Sequence, residues 1–223
     1  MFGKGSKKSA SGSRSTQATS GSPSDYDSST SSQKEAKRVA ISLDTFYDTS
    51  QYVSSEVTTL RVVVHTGGNA QYTEDGRSAN HWSIFLLLAG NEAASVRLNM
   101  SNVDGSDELG SFGVTGHDYL LSRSELAYFD YPVVPGKRVY EFCNLVVNKR
   151  RNRYRMTGNG NGCRHWVWYL FNDFLAYDYI DIATPDRRNV TAQFYNHLRH
   201  KYHRDSNRRV NRIPSPIEEG QFV

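Results

Sequence analysis

Two short stretches hold residues that could do chemistry together: His81-Trp82-Ser83-Ile84-Phe85-Leu86 and Asn161-Gly162-Cys163-Arg164-His165-Trp166-Val167. The first reads as an apolar strand that opens on a histidine. The second reads as a glycine-rich loop that delivers a cysteine to the start of an apolar helix. The N-terminus of a helix carries partial positive charge, which favours thiolate over thiol. The expected pKa of Cys163 is therefore below the reference of about 8.5. His81 on a neighbouring strand would act as base and then as acid, and the backbone N–H of Cys163 would stabilise an oxyanion. The chemistry of such a pair is nucleophilic attack on a carbonyl carbon.

Several elements must position the pair. The first, Val39 to Leu43, reads as a strand. Leu60-Arg61-Val62-Val63-Val64-His65 is β-branched and stops at Thr66-Gly67-Gly68, a second strand. Trp82 to Leu88 and Ser95 to Met100 read as a hairpin around Ala89-Gly90-Asn91-Glu92. Residues 102–116 read as a Gly/Asp/Ser-rich loop, and 119–131 fit strand or helix. Apolar residues at Val139, Phe142, Cys143, Val146 and Val147 have helical spacing, and that helix ends in Lys149-Arg150-Arg151. Cys163 to about Ala176 is a second helix, and Arg187 to His203 a third, more polar one.

Bulk composition bounds the function. The chain has 223 residues, 37% hydrophobic, with a formal net charge of +4. That balance is too weak to imply nucleic acid. Two cysteines, Cys143 and Cys163, are too few for a disulfide scaffold. No stretch approaches the ~20 apolar residues of a membrane span, and the N-terminus shows no secretory h-region. An intracellular, cytoplasmic location with free thiols is the default expectation. Residues 1–36 are Ser/Gly-rich and nearly devoid of apolar side chains, so a disordered tail is expected. The expected organisation is then an α+β domain over 37–185, a polar helix over 186–204 and a basic, Pro-containing tail over 205–223.

With these residues laid out, the chain resembles the permuted branch of the NlpC-type papain-like thiol hydrolases, and is most similar to the lecithin–retinol-acyltransferase-like and PPPDE groups. Their histidine strand reads His-Trp-small-aliphatic-aromatic-aliphatic, which His81 to Leu86 matches. Their cysteine helix reads Asn-Cys-x-His-aromatic-Val, which Cys163 to Val167 matches from the cysteine on. More closely still, the middle of the chain resembles an uncharacterised fungal domain of unknown function, through Val96-Arg97-Leu98-Asn99-Met100 and the block from Arg153-Tyr154 to Trp166. The likeness covers roughly residues 38–180. It implies an α+β fold with a mostly antiparallel sheet and a packed cysteine-bearing helix. It also implies a thiol hydrolase or acyltransferase acting on an amide, isopeptide, ester or thioester bond of an acyl or peptide substrate, with no cofactor. Two departures stand out. Gly162 replaces the asparagine that usually precedes the cysteine. The strand that carries a second histidine in acyltransferase-like members offers Asn99 instead. An asparagine side-chain oxygen orients the histidine of papain-type sites, so Asn99 is the candidate to hold His81.

Blander readings stand beside these. A free cysteine is usually a small buried hydrophobe, and Cys143, on an apolar helix face, fits that role. His165 follows Cys163 by two and would point away from it. Trp82, Trp166, Trp168 and Phe171 read as core. Arg164 could hold an acidic group, stabilise a thiolate or face solvent. His81, Cys143, Cys163 and His165 are metal-ligand types but lack zinc-site spacing. Two functional alternatives remain open. One is a catalytically inactive binding module of the same fold. The other is a nucleic-acid or anionic-surface binder that uses the basic stretch from His197 to Arg212.

Overall fold

The computed structural model describes residues 51–67, 80–90, 94–102, 109–157 and 161–223. The segment 1–36 and the strand read at Val39 to Leu43 lie outside them. The described elements run β1 (Val57–Thr66), β2 (Asn80–Leu88), β3 (Ser95–Ser101), β4 (Ser111–His117), β5 (Glu125–Pro132), α1 (Val139–Asn148), β6 (Tyr154–Arg155), α2 (Cys163–Ala176), α3 (Thr184–Leu198), β7 (His200–Arg204), β8 (Val210–Pro214) and β9 (Gln221–Phe222). The fold is α+β. Its main sheet has the order β4-β3-β2-β1-β5, and every neighbouring pair is antiparallel.

Alternation along the strands separates the two faces of this sheet. Val62, Val64, Trp82, Ile84, Leu86, Val96 and Leu98 pack into one core with Phe142 and Val146 of α1 and with Trp166, Leu170 and Phe171 of α2. Burying each large apolar side chain there contributes roughly 1.5–3 kcal/mol. On the other face Val63, Phe85 and Leu87 form a small cluster under Leu120 and Leu121. β1 and β2 are thus apolar on both faces, which explains their nearly unbroken apolar runs. On this second face Arg61 pairs with Asp130 at 2.7 Å, and a separate polar group gathers at one end. There the register sets His65 opposite His81, with Ser83 two residues further along β2. Arg97 pairs opposite Phe85 on the same face, and Asn99 follows two residues later.

Four readings change. The segment 102–116 is not loop throughout: Ser111–His117 is the edge strand β4, whose Phe112 and Val114 are buried. Its interspersed Gly113 and Gly116 hide the alternation. The ambiguous segment 119–131 resolves as a turn and then β5, which pairs with β1. The third helix stops at Leu198, well before His203. Tyr202 is buried against Trp82, and the Asn80 side chain takes both Tyr202 backbone groups, donating to its O at 2.9 Å and accepting from its N at 2.6 Å. Those contacts stabilise β7 over another helical turn. In the segment read as a basic tail, Asp205 Oδ1 accepts from the N–H groups of Asn207 and Arg209, an Asx turn that folds β8 back on β7. β9 then pairs with β6.

Candidate functional site

The cysteine loop is built around Tyr154. Its hydroxyl accepts from the Gly220 N–H at 2.9 Å and donates to the Gly162 carbonyl at 3.0 Å, with His165 Nδ1 also 3.0 Å away. Gly162 has φ 128°, a conformation that favours glycine. A Cβ there would lie 3.0 Å from the Tyr154 hydroxyl and 3.2 Å from its ring. Close approach of Tyr154 therefore explains why glycine, and not asparagine, precedes the cysteine. His165 packs at the edge of Tyr169 and beside Phe222, away from the cavity described below. Arg164 is not a solvated cation. It is buried and donates to the carbonyls of Leu198, Ser215 and Pro216, tying the C-terminal segment to the start of α2.

Cys163, His81 and Asn99 all line one cavity of about 330 Å³, together with His65, Arg97 and Ser124. The His81 Nε2 lies 2.5 Å from Asn99 Oδ1. Arg97 Nη2 donates to the same oxygen at 3.2 Å, which fixes the orientation of the amide. Asn99 Oδ1 can only accept, so His81 Nε2 carries the proton and Nδ1 is the basic nitrogen. Cys163 enters from the end of β2, where its Sγ donates to the Asn80 carbonyl at 3.9 Å. The thiol thus lies beside the backbone of the histidine strand, and the imidazole is held by Asn99 from β3.

Electrostatics correct one expectation. Burial pushes the Cys163 thiol up, and it outweighs the backbone N–H of Trp82 and the Arg164 guanidinium, both of which favour the thiolate. Burial likewise pushes His81 down to about 4; the Asn99 hydrogen bond offsets part of this and the Arg97 charge adds to it. The resting pair is therefore a neutral thiol and a neutral imidazole, not a preformed ion pair. Cys143 is buried on α1, and its thiol is pushed up to about 12.

Sequence reasoning missed the residues behind the site. His65 is buried, with Nε2 2.7 Å from Ser83 Oγ and Nδ1 3.1 Å from Ser124 Oγ. Ser83 also accepts from Arg97 Nε at 3.1 Å. The signal was period two: His81 and Ser83 alternate on β2, and Arg97 and Asn99 alternate on β3. Among the described residues no group of three His, Cys, Asp or Glu side chains is placed to hold a metal ion. The basic stretch divides between the end of α3 and the β7–β8 hairpin, and its Arg204 is tied to Glu125. No described helix is long and apolar enough to cross a membrane.

The model of the family described as a domain of unknown function, DUF7770, matches residues 60–223. No curated protein and no solved structure matches the chain.

Proposed function

We propose that this chain, which belongs to the DUF7770 family, is a thiol hydrolase or acyltransferase with a permuted papain-like arrangement. The observation that carries this reading is the shared cavity. A cysteine at the first position of a helix, and a histidine whose Nε2–H is held by an asparagine oxygen, open into the same space.

Cys163 Sγ attacks the carbonyl carbon of an amide, ester or thioester while His81 Nδ1 takes the thiol proton. Because both groups rest neutral, transfer accompanies attack instead of preceding it. The tetrahedral oxygen accepts from the Cys163 backbone N–H, which as the first helical N–H has no partner within its own helix. The imidazolium returns its proton to the leaving amine, alcohol or thiol as the carbon–leaving-group bond breaks. Water or a second nucleophile then gives up a proton to His81 and takes the acyl group, restoring the thiol. Asn99 keeps the ring oriented throughout.

The experiment is active-site labelling with an acyl electrophile such as an aryl ester, followed by mapping of the modified residue. Acylation is expected at Cys163, slowed at least about 10²-fold in His81→Ala, the scale of a lost general base. A second reading, a binding module of the same fold without turnover, draws on the raised thiol and on its hydrogen bond to the Asn80 carbonyl. Slow, unselective labelling that ignores His81→Ala would favour it.

A further inference from the structure

One formal cation lines this cavity among the described residues. Arg97 leaves β3 on the face that carries His81 and Asn99. Its Nε donates to Ser83 and its Nη2 to Asn99, and its guanidinium lies 5.8 Å from the centroid of the Phe85 ring. Among the described residues no carboxylate pairs with it. Arg97 is half-buried and its guanidinium stays charged, and a charge partly withdrawn from water without a counter-charge is costly. Two of its five N–H groups are used by Ser83 and Asn99. The neighbouring His65 and His81 are neutral, and Asn80 and Ser124 add only dipoles.

We propose that Arg97 binds a carboxylate carried by the acyl substrate, so that the site takes a short acyl group ending in a carboxylate, of the succinyl or glutaryl type. This rests on the thiol-acyl reading of the same cavity. A carboxylate monoanion balances one guanidinium and matches its planar fork. A phosphate near two negative charges would need a second cation, and among the described residues no other lysine or arginine lines the space. A volume of about 330 Å³ is at the small end of ligand pockets and suits a short acyl group.

The test uses the full chain carrying Cys163→Ser, so that binding is read without chemistry. Glutarate, glutaric diamide and inorganic phosphate are titrated while the histidine ring resonances are followed by NMR. Glutarate is expected to bind saturably and to raise the titration midpoint of His81, because the anion offsets the Arg97 charge. The diamide should bind at least about tenfold more weakly, as should phosphate. Arg97→Gln should cost glutarate about tenfold or more, and Arg97→Lys, which keeps the charge but loses the fork, several-fold. If Arg97→Gln does not fold, the contrast between glutarate and diamide in the Cys163→Ser chain decides. Equal binding of diamide and glutarate, tighter binding of phosphate, or no saturable glutarate binding overturns the proposal. The thiol reading fails separately: glutarate binding without Cys163 acylation would leave an anion site and no nucleophile.

Discussion

His65 and His81 stand opposite each other in the β1–β2 ladder with ring centroids 6.0 Å apart, and burial holds both neutral, one pushed down to about 3 and the other to about 4. Arg97 faces both rings from β3 and lowers each further. The end of the sheet is thus a place where one positive charge is tolerated and two more are not.

This arrangement sets a pH dependence. An unfolded histidine titrates near 6.5, whereas the folded pair stays neutral to much lower pH. Between those values the unfolded chain binds more protons, so stability rises with pH. The contribution is full above about pH 6.5 and is lost as the pH falls towards the folded values. Thermal melts should show Tm dropping between pH 7 and pH 5. His65→Gln should flatten that slope. An unchanged slope in His65→Gln would mean that His65 is not the group that titrates.

The site was legible where chemistry follows short-range pattern. His81 opening an apolar strand and Cys163 opening a helix needed only local periodicity, and α1 and α2 begin where the spacing put them. Asn99 was found through strand alternation, and its oxygen meets His81. What was not legible depends on distant partners. β7 forms because Asn80, 122 residues away, binds the Tyr202 backbone. Arg164 is buried because Ser215 and Pro216 fold back onto it. The thiol pKa was read with the wrong sign because helix position is local, whereas burial belongs to the whole fold.

Reactivity should reflect that raised thiol. Alkylation by iodoacetamide goes through the thiolate. Its rate at Cys163 should therefore climb roughly tenfold per pH unit from 7 to 8.5 without a plateau. Cys143, fully enclosed and pushed up to about 12, should be modified far more slowly in the folded chain. Peptide mapping after timed quenching measures both. A plateau for Cys163 below pH 7 would instead reveal a preformed thiolate–imidazolium pair.

The loop before the cysteine should be sensitive to single atoms. Tyr154→Phe removes one hydroxyl and strands the Gly220 N–H that it satisfied, while the Gly162 carbonyl keeps the Trp166 N–H at 3.0 Å. An unsatisfied buried group costs about 1–3 kcal/mol. Gly162→Ala should cost more than glycine's conformational freedom alone, because it combines strain at φ 128° with contact against Tyr154. Chemical denaturation should rank wild type, then Tyr154→Phe, then Gly162→Ala. A neutral Gly162→Ala would mean that Tyr154 can shift without cost.

Catalytic and packing roles should separate cleanly between two residues of one helix. Trp166 is fully buried, its ring lies 5.9 Å from that of Phe112, and its Nε1 donates to the Arg151 carbonyl at 2.7 Å. Emptying such a site costs roughly 3–5 kcal/mol. Cys163 is only half-buried and borders the cavity. Serine is close to cysteine in size and keeps a donor for the Asn80 carbonyl, so Cys163→Ser should change stability by about 1 kcal/mol or less while removing all acyl transfer. His81→Ala combined with Cys163→Ser should lose little further activity, because the two act as one unit. Urea midpoints alongside labelling rates make the comparison. If Cys163→Ser unfolds as readily as Trp166→Ala and acylation persists in the folded fraction, Cys163 is a packing residue and the nucleophile lies elsewhere.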